Sequence, residues 1–449
     1  MKKVIIYQIG RLDRDVFKEY EFEINEKPFK TSLSSFALRQ YFCCEGFDPK
    51  VILLYPVSLP LNPSLRGNSG YPEDCNKNLE IALQNPKVYL KDPSHFFDHH
   101  PHTKKADHYY LIHSLGEYNT LEGTIRFDCY YHDIVLLTLL HMLDLFLKEE
   151  EGIERIIIDI SSGHNIYVSA LIEASRFFGT WIKLYHWNGL IPSLEIAFSD
   201  PIIPGISRFK INTEELKVQA LFSSPIGYDD LNNNSLALKI YPEKNQRDKK
   251  RQLQSFLENF AIIFSAIKNN TPLAIYTFGY HDLEDIKRDF DELVSHTIDK
   301  LKQAYDSTPN LDKSAYIKVL LSFAFYMGLC RIIKSQSISK SNEINIDKLR
   351  NDLENIYGKF KLNLNDTILG NEIDKIKKAL EKDKDIEWKS LSTILYPESN
   401  ITPPQKRNFF AHAGFEANIT ECMKNGKEIY LRYITKHIDM IKGWLKESV

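Results

Sequence analysis

The chain has 449 residues, too many for one ordinary core, so we expect two or three domains. With 43% hydrophobic and 26% charged residues it is typical of a soluble globular protein, and its net charge of −3 excludes a globally basic nucleic-acid binder, so any such contact needs a local basic groove. The six cysteines form no CxxC pair, so neither a zinc ribbon nor a disulfide framework is indicated, and we expect a reducing, cytoplasmic setting. No apolar run reaches the about 20 residues that are needed to span a bilayer.

The first 190 residues alternate short apolar runs with helical stretches. Strands are predicted at Val4–Ile9, Val51–Tyr55, Arg155–Ile160 and Trp181–His186, and helices at Ser32–Cys44, Asp74–Gln84, Tyr130–Lys148 and Asn165–Phe178. Apolar runs without alternation are typical of a parallel sheet that is covered on both faces. The order predicts an α/β, Rossmann-like domain over residues 1–190. Its ligand loops lie beyond the carboxyl ends of the strands, at Gly10–Arg14, Tyr55–Leu59 and Ser161–Asn165.

Residues 191–270 have a weaker pattern and are predicted to be a connecting region. Leu194–Phe198 and Ala220–Phe222 are candidate strands there. After about residue 247 helical periodicity dominates, with helices predicted at Arg251–Lys268, Asp282–Tyr305, Lys313–Ile333, Ile346–Phe360, Asn371–Lys382 and Glu428–Leu445. We therefore expect an all-α domain over residues 271–449.

A polar loop, Asp159-Ile160-Ser161-Ser162-Gly163-His164-Asn165, joins a predicted strand to a predicted helix. The serine hydroxyls, a glycine that lets the backbone approach closely and the free N–H groups at the start of a helix suit a phosphate. Asp159 would brace the turn. The alternative is an ordinary strand-to-helix turn capped by Ser and Asn. The loop is neither a Walker loop nor a GxGxxG motif.

This loop resembles the characteristic loop of CARF domains, which has the order Asp, apolar residue, Ser or Thr, any residue, Gly, any residue, Asn or Thr. Gly10, after the first strand, matches the other ligand loop of that family. The resemblance implies a homodimer in which two sensor domains share one cyclic oligoadenylate. Its ring size stays open, with cyclic tetra-adenylate as the expected activator. The ligand-binding residues would be Gly10, Arg11, Ser161, Ser162, Gly163, His164 and Asn165.

A second candidate site lies in the run Pro403–Phe415. The proline pair can start a helix, which would put Arg407 and His412 on its first turns. His titrates near neutral pH and Arg binds phosphate in a bidentate way, so the pair suits metal-free RNA cleavage by the RNA's own 2′-hydroxyl. The products would be a 2′,3′-cyclic phosphate and a 5′-hydroxyl. Positions five apart lie about 140° apart around a helix, so one helix does not naturally direct both side chains to the same phosphate. Two facing helices of a dimer could pool these groups in one cleft.

The segment resembles the HEPN signature, an Arg followed by a His after four to six residues in a helical domain. Asn408 fits the polar residue often found after that Arg. The resemblance implies an RNA-cutting domain. There Arg407 would stabilise the phosphorane, His412 would transfer a proton or orient the scissile phosphate, and Asn408 would position them.

The same spacing occurs elsewhere in the chain. Arg432 and His437 share it on the predicted final helix, where a solvated face is the simpler explanation, and Arg126 and His132 fit a looser spacing in the predicted sensor domain. Context therefore favours the first pair. Candidate cations for an RNA path are Lys406, Lys424, Lys427 and Arg432, and candidate stacking rings, for most of which core packing is favoured, are Phe409, Phe410 and Phe415.

One segment is rich in histidine. Its members are His95, His99, His100, His102, His108 and His113. With Asp98 and Asp107 they could bind zinc or nickel, but their spacing matches no known structural zinc pattern. We favour a polar surface insertion in the sensor domain, and we expect no metal in catalysis.

Together the two resemblances predict a CARF–HEPN ribonuclease of type III CRISPR antiviral defence. It would be a homodimer or higher homo-oligomer that cuts single-stranded RNA when cyclic oligoadenylate binds. The alternative is a non-enzymatic CARF-type nucleotide sensor that regulates a partner or binds DNA, and it predicts ligand binding without cleavage. A third possibility is a metal-dependent protein built on the histidine segment.

Overall fold

The computed structural model describes residues 2–12, 17–67, 70–149, 151–187, 189–201, 208–383, 385–398 and 402–449. The chain divides into two compact units. The first contains residues 1–183, 190–219 and 291–313, and the second contains residues 184–189, 220–290 and 314–449.

The first part of the chain alternates strands and helices. Its strands are β1 (Lys3–Ile9), β2 (Tyr20–Ile24), β3 (Lys27–Thr31), β4 (Asp48–Pro56), β5 (His108–Ile112), β6 (Gly116–Thr120), β7 (Gly123–Phe127), β8 (Ile153–Asp159), β9 (Ser193–Ser199) and β10 (Arg208–Glu215). Its helices are α1 (Ser34–Cys44), α2 (Glu73–Gln84), α3 (Pro86–Tyr89), α4 (Ser94–Phe97), α5 (Pro101–Lys105), α6 (Tyr131–Glu149) and α7 (Asn165–Tyr185). Short 3-10 turns lie at Leu59–Leu61 and Pro63–Leu65.

Eight of these strands form one mixed sheet in the order β3-β2-β10-β9-β8-β1-β4-β5. The five from β9 to β5 are parallel, as predicted, and β1 and β4 are almost wholly buried, which explains why they lack alternation. Strand β10 runs antiparallel to β9, and the hairpin β2–β3 extends the edge. From β1 the chain proceeds to β4 and β5 on one side and to β8 and β9 on the other. The order of the parallel strands therefore reverses between β1 and β8, and the carboxyl ends of these two strands lie at the switch point where such sheets bind ligands.

Two strand predictions for this part of the chain are wrong and one is confirmed. Trp181–His186 is not a strand, because α7 continues to Tyr185 and buries Phe178, Trp181 and Tyr185 at helical spacing. The predicted strand Ala220–Phe222 is irregular chain. Leu194–Phe198 is a strand, but it belongs to the large sheet.

The histidine segment is not a polar surface insertion throughout. His100, His102 and His113 are buried, and His100 packs against the rings of Tyr55 and Tyr71. Burial lowers the pKa of His100 well below its usual range and also lowers that of His113. The imidazoles of His100 and His113 are therefore uncharged parts of the core.

The second part of the chain is mainly helical. Its helices are α8 (Tyr228–Leu231), α9 (Ser235–Ile240), α10 (Arg247–Lys268), α11 (Leu273–Phe278), α12 (Leu283–Leu301), α13 (Lys313–Ser335), α14 (Ile346–Phe360), α15 (Asn363–Ala379), α16 (Leu391–Leu395), α17 (Lys406–Ala411) and α18 (Ile438–Lys446). Its strands are β11 (Ile344–Asn345), β12 (Asp385–Ser390), β13 (Thr420–Asn425) and β14 (Glu428–Tyr433), and 3-10 turns lie at Asn232–Asn234, Lys244–Gln246 and Thr435–His437.

Aromatic packing between α10 and α13 forms the centre of the second unit. Phe256 stacks on Phe323 with ring centroids 3.8 Å apart, and Phe260 and Phe264 pack against Phe325. By length and composition alone α13 could cross a bilayer, and 78% of its most apolar window is buried inside the structure, as in a core helix.

The second unit is not all-α. Its four short strands form an antiparallel sheet in the order β11-β14-β13-β12, which the sequence analysis did not predict. The predicted helix Glu428–Leu445 is wrong in its first half, because Glu428–Tyr433 is a strand whose side chains alternate between buried and more exposed positions. Only Ile438–Lys446 is helical. Arg432 therefore lies on a strand and His437 in a 3-10 turn, not on one amphipathic helix.

Candidate functional site

A cleft of about 440 Å³ opens in the second unit between α15, α16 and the chain that follows α17. Two of the three predicted catalytic residues, Asn408 and His412, line it. Its other polar lining includes Glu372, Lys375, Ser392, Thr393, Tyr396, Thr402, Glu416 and Asn418. The cleft is therefore a polar pocket that contains a histidine, as acid–base chemistry requires.

The closest polar contact of His412 is a carboxylate. Its Nδ1 lies 3.1 Å from Oε1 of Glu372 on α15, and the His412 side chain is 41% exposed whereas that of Glu372 is 18% exposed. A carboxylate that accepts from Nδ1–H orients the ring and directs Nε2 to the remaining space. Glu372 is a candidate functional residue that the sequence did not indicate, because no spacing rule connects it with a residue 40 positions away.

Helix α17 is short, and it separates the two motif residues. Arg407 is exposed on its first turn, whereas His412 caps its end with non-helical backbone angles (φ −112°, ψ 41°). The prediction that His412 lies on the first turns of a helix is therefore wrong. Within one chain Arg407 does not line the cleft, among the residues that the structure describes.

A tight turn fixes the position of His412. Ala413 (φ +51°) and Gly414 (φ +77°) are left-handed, and the Gly414 N–H donates to the Phe409 carbonyl oxygen at 2.8 Å. A Cβ on Gly414 would lie 3.0 Å from Thr271 and from the Tyr433 hydroxyl. Both the backbone angle and the space therefore require glycine at this position.

Three of the four cations predicted for an RNA path have other partners, and the fourth, Lys427, is exposed. Lys406 pairs with Glu447 at 2.8 Å, and Lys424 donates to the carbonyl oxygens of Leu380 and Asp383. Arg432 is ion-paired with a glutamate and stacks over a tryptophan ring. These three residues stabilise the local fold.

The aromatic residues near the motif divide as expected. Phe409 and Phe415 are buried, so core packing is confirmed for both, and Phe410 is half-buried. In the competing pair, Arg126 on β7 is ion-paired with Asp128 at 3.0 Å, and His132 lies on α6.

The loop Asp159–Asn165 connects β8 to α7, as predicted. Asp159 is fully buried, accepts from the Ser34 hydroxyl at 2.6 Å and accepts from the Ser161 N–H at 3.0 Å. Burial raises the pKa of its carboxyl group, and the hydrogen bonds from Ser161 and Ser34 oppose that shift. Asp159 therefore stabilises the turn through hydrogen bonds to Ser34 and Ser161.

A second buried side chain extends this network. The Gln8 amide donates to the Ser34 hydroxyl at 2.8 Å and accepts from the Ser35 hydroxyl at 2.6 Å. The start of α1 is thereby linked to the carboxyl ends of β1 and β8. Buried networks whose members all have partners hold a single geometry.

The two serines of the loop are not equivalent. Ser161 is engaged, because its hydroxyl oxygen accepts from the Ser199 N–H at 2.9 Å. The Ser162 hydroxyl is buried and has no hydrogen-bond partner among the described residues. Ser161 is thus a structural member of the loop, whereas the hydrogen-bonding capacity of the Ser162 hydroxyl is unused within the described residues.

The remaining predicted ligand residues surround the same edge of the sheet. Gly163 is exposed with φ +79°, and Asn165 begins α7, with His164 just before it. A Cβ on Gly10 would lie 2.2 Å from the Tyr55 ring, so only glycine fits there. Arg11 donates to the Ser32 carbonyl oxygen at 3.2 Å. Residues 13 and 14 of the predicted first loop lie outside the described residues.

A metal centre was the other chemistry to consider. Within the ranges that the structure describes, no group of three or more His, Cys, Asp or Glu side chains converges as metal ligands would.

Comparison with known proteins identifies both units. The family model described as the CARF domain of the CRISPR system endoribonuclease Csx1 matches residues 4–201, and the model described as the HEPN domain of the same endoribonuclease matches residues 362–436. A curated relative, the CRISPR system endoribonuclease Csx1 of Methanocaldococcus jannaschii, is 28% identical over 233 residues. The alignment covers 46% of this chain and 46% of the relative. The chain therefore spans about half the length of the curated relative that it matches. Since the two models fall on the two candidate sites and together cover more than half of the residues, the chain belongs to the family of CARF–HEPN CRISPR ribonucleases.

Proposed function

We propose that the chain is an endoribonuclease that cuts single-stranded RNA in type III CRISPR antiviral defence and needs no metal for the chemistry. The observation that carries this proposal is the polar cleft in which His412 is held by Glu372 and Asn408 lies alongside. Family membership and the name of the relative support the class of reaction.

The proposed reaction uses the RNA as its own nucleophile. The 2′-hydroxyl loses its proton, its oxygen forms a bond to phosphorus, and the bond from phosphorus to the 5′-oxygen breaks as that oxygen gains a proton. His412 moves one of these protons through Nε2 while Glu372 holds Nδ1. The Arg407 guanidinium stabilises the charge of the phosphorane. The products are a 2′,3′-cyclic phosphate and a 5′-hydroxyl.

The arrangement of the motif favours a homodimer. His412 lines the cleft but Arg407 of the same chain does not, so one chain does not bring both motif residues to the cleft, although Lys375 lines it. In the proposed active form, two copies of α17 face each other and each contributes an Arg and a His to a shared cleft. Substrate cleavage then depends on dimer geometry.

Control by a cyclic oligoadenylate is proposed for the first unit, with cyclic tetra-adenylate as the first candidate. The switch-point position of the loop, its exposed glycine and the Ser162 hydroxyl, which has no hydrogen-bond partner among the described residues, support an anionic ligand there. If the ligand favours the active dimer, its affinity and the cleavage-competent geometry must be thermodynamically coupled.

The test is cleavage of a labelled single-stranded RNA in EDTA, with and without cyclic tetra- or hexa-adenylate. We expect activity that requires one cyclic ligand, survives EDTA and is lost in His412→Ala and Arg407→Ala. His437→Ala, a change at another histidine of the same unit, is the matched control and should retain activity. Tight ligand binding without cleavage in any condition would instead favour a sensor without nuclease activity.

A further inference from the structure

A short basic segment at the start of α10 stands out against the chain's net charge of −3. Residues 243–251 read EKNQRDKKR, five cations against two carboxylates. Lys244, Arg247, Lys250 and Arg251 line an open groove of about 760 Å³, together with Glu258. This groove is separate from the cleft that holds His412.

Most of these cations are not neutralised. Among the residues that the structure describes, Lys244, Arg247 and Lys250 form no ion pair, and Arg251 has only the exposed Asp248 at 4.0 Å. Unpaired cations on one face create a positive potential that attracts a polyanion. They contrast with Lys406, Lys424 and Arg432, whose polar groups already have protein partners.

Helix α18 connects this groove with the motif. Lys442 and Lys446 on α18 lie 3.6 and 3.4 Å from Glu258 of α10. On the other side of α18, the Trp444 ring packs on Phe409 of α17 at 5.4 Å. Beyond its end, Glu447 pairs with Lys406, the residue before Arg407. Helix α18 therefore lies between the groove and the helix that carries Arg407, and its lysines, like Lys406, are ion-paired.

We propose that the α10 groove is a docking surface for the phosphate backbone of single-stranded RNA, which continues across α18 towards the cleft. The inference rests on the proposed ribonuclease function and adds to it the place where substrate outside the cleavage site is held. Flexible exposed cations contact phosphates without reading bases, so this surface contributes affinity but no sequence preference.

The first experiment measures binding without turnover. A fluorescein-labelled RNA with 2′-O-methyl riboses is titrated with the full-length protein over a series of salt concentrations. Arg247→Gln/Lys250→Gln is compared with Lys87→Gln/Lys91→Gln, which removes the same charge from two exposed residues of the first unit. Losing two phosphate contacts should make the negative slope of the logarithm of the association constant against log salt shallower by about 1.4. Binding should weaken about 10- to 25-fold near 0.1 M salt. The control pair should do neither.

The second experiment separates this surface from the catalytic proposal. With natural RNA, Arg247→Gln/Lys250→Gln should raise KM for a long substrate much more than for a trinucleotide, because only the long substrate extends well beyond the scissile bond. An unaltered salt slope and KM would overturn the docking surface while leaving the ribonuclease proposal intact. If the wild type does not cleave at all but the salt slope still falls in the variant, the docking surface stands and the ribonuclease proposal fails.

Discussion

Replacing Glu372 tests whether the carboxylate acts through His412. Glu372→Gln keeps the size of the side chain but removes the charge that faces Nδ1 of His412 at 3.1 Å. Glu372→Ala removes the hydrogen bond as well. If the carboxylate orients the ring, both changes should lower kcat, Ala more than Gln, while KM changes little because Glu372 acts on the histidine and not on bound RNA.

The expected magnitude follows from the geometry. A hydrogen bond to a charged group is worth about 1.5–3 kcal/mol. Solvent screens this pair, since His412 is 41% exposed, so we take the lower end, about 1–1.5 kcal/mol. By the relation of about 1.4 kcal/mol for a factor of ten, this corresponds to a roughly 5- to 12-fold loss of rate.

The assay is single-turnover cleavage of a labelled RNA at saturating cyclic ligand. Asp374→Asn is the matched control, because Asp374 is an exposed carboxylate two residues away on the same helix. The double variant Glu372→Gln/His412→Ala completes a mutant cycle. Groups that act as a unit are non-additive, so the loss from Glu372→Gln should disappear when His412 is absent.

Two outcomes would refute this reasoning. A Glu372→Gln variant that cleaves at the wild-type rate would mean that the contact does not orient the ring. An equal loss of residual rate in the His412→Ala background would mean that Glu372 acts on the fold or on the RNA directly.

Three further predictions concern stability. Gly10→Ala should cost about 1–3 kcal/mol or more, read as a fall in Tm, because its Cβ would lie 2.2 Å from a buried ring. Gly328→Ala should cost at least as much, because its Cβ would lie 2.1 Å from the Leu184 carbonyl oxygen. Burial lowers the folded-state pKa values of His100, His113 and His141. Only the unfolded chain therefore binds these protons below about pH 6.5, so the free energy of unfolding should fall with decreasing pH, by up to about 4 kcal/mol per pH unit, in urea denaturation.

Each stability prediction has its own control. Tyr55→Leu should relieve part of the cost of Gly10→Ala, and additive costs in the double variant would contradict the clash. Gly358→Ala, on a helix where its Cβ would meet nothing within 4 Å, should raise stability by about 0.5–1 kcal/mol. His141→Gln should reduce the pH slope by one proton, and an unfolding free energy independent of pH between about 7.5 and 5.5 would contradict neutral burial.

Long, strongly patterned segments could be predicted from the sequence. Ile346–Phe360 has the predicted bounds, because its apolar residues recur at helical spacing on one buried face. The parallel strands β1 and β8 were found from β-branched runs, and their outgoing loops then located the candidate ligand residues.

The C-terminal hairpin was missed although its signal is present. Glu428–Tyr433 alternates buried and more exposed side chains, and Gly426 (φ +60°) opens a two-residue turn after Asn425. The predicted helix Glu428–Leu445 combined this strand with the amphipathic helix α18 that follows it. The local motif predicted Asn408 and His412 in the cleft. Glu372 could not be predicted, because only the fold brings α15 beside His412.

The hydrogen bonds beneath the Asp159–Asn165 loop affect how a ligand would bind there. Ser161 is tied to β9 through Ser199, and Asp159 is tied to α1 through Ser34. The conformational entropy of this loop is therefore lost when the chain folds and not when a ligand arrives, which favours affinity. The same ties mean that a ligand cannot shift the loop alone. Any displacement would be passed as one rigid movement to a helix and to a neighbouring strand of the sheet.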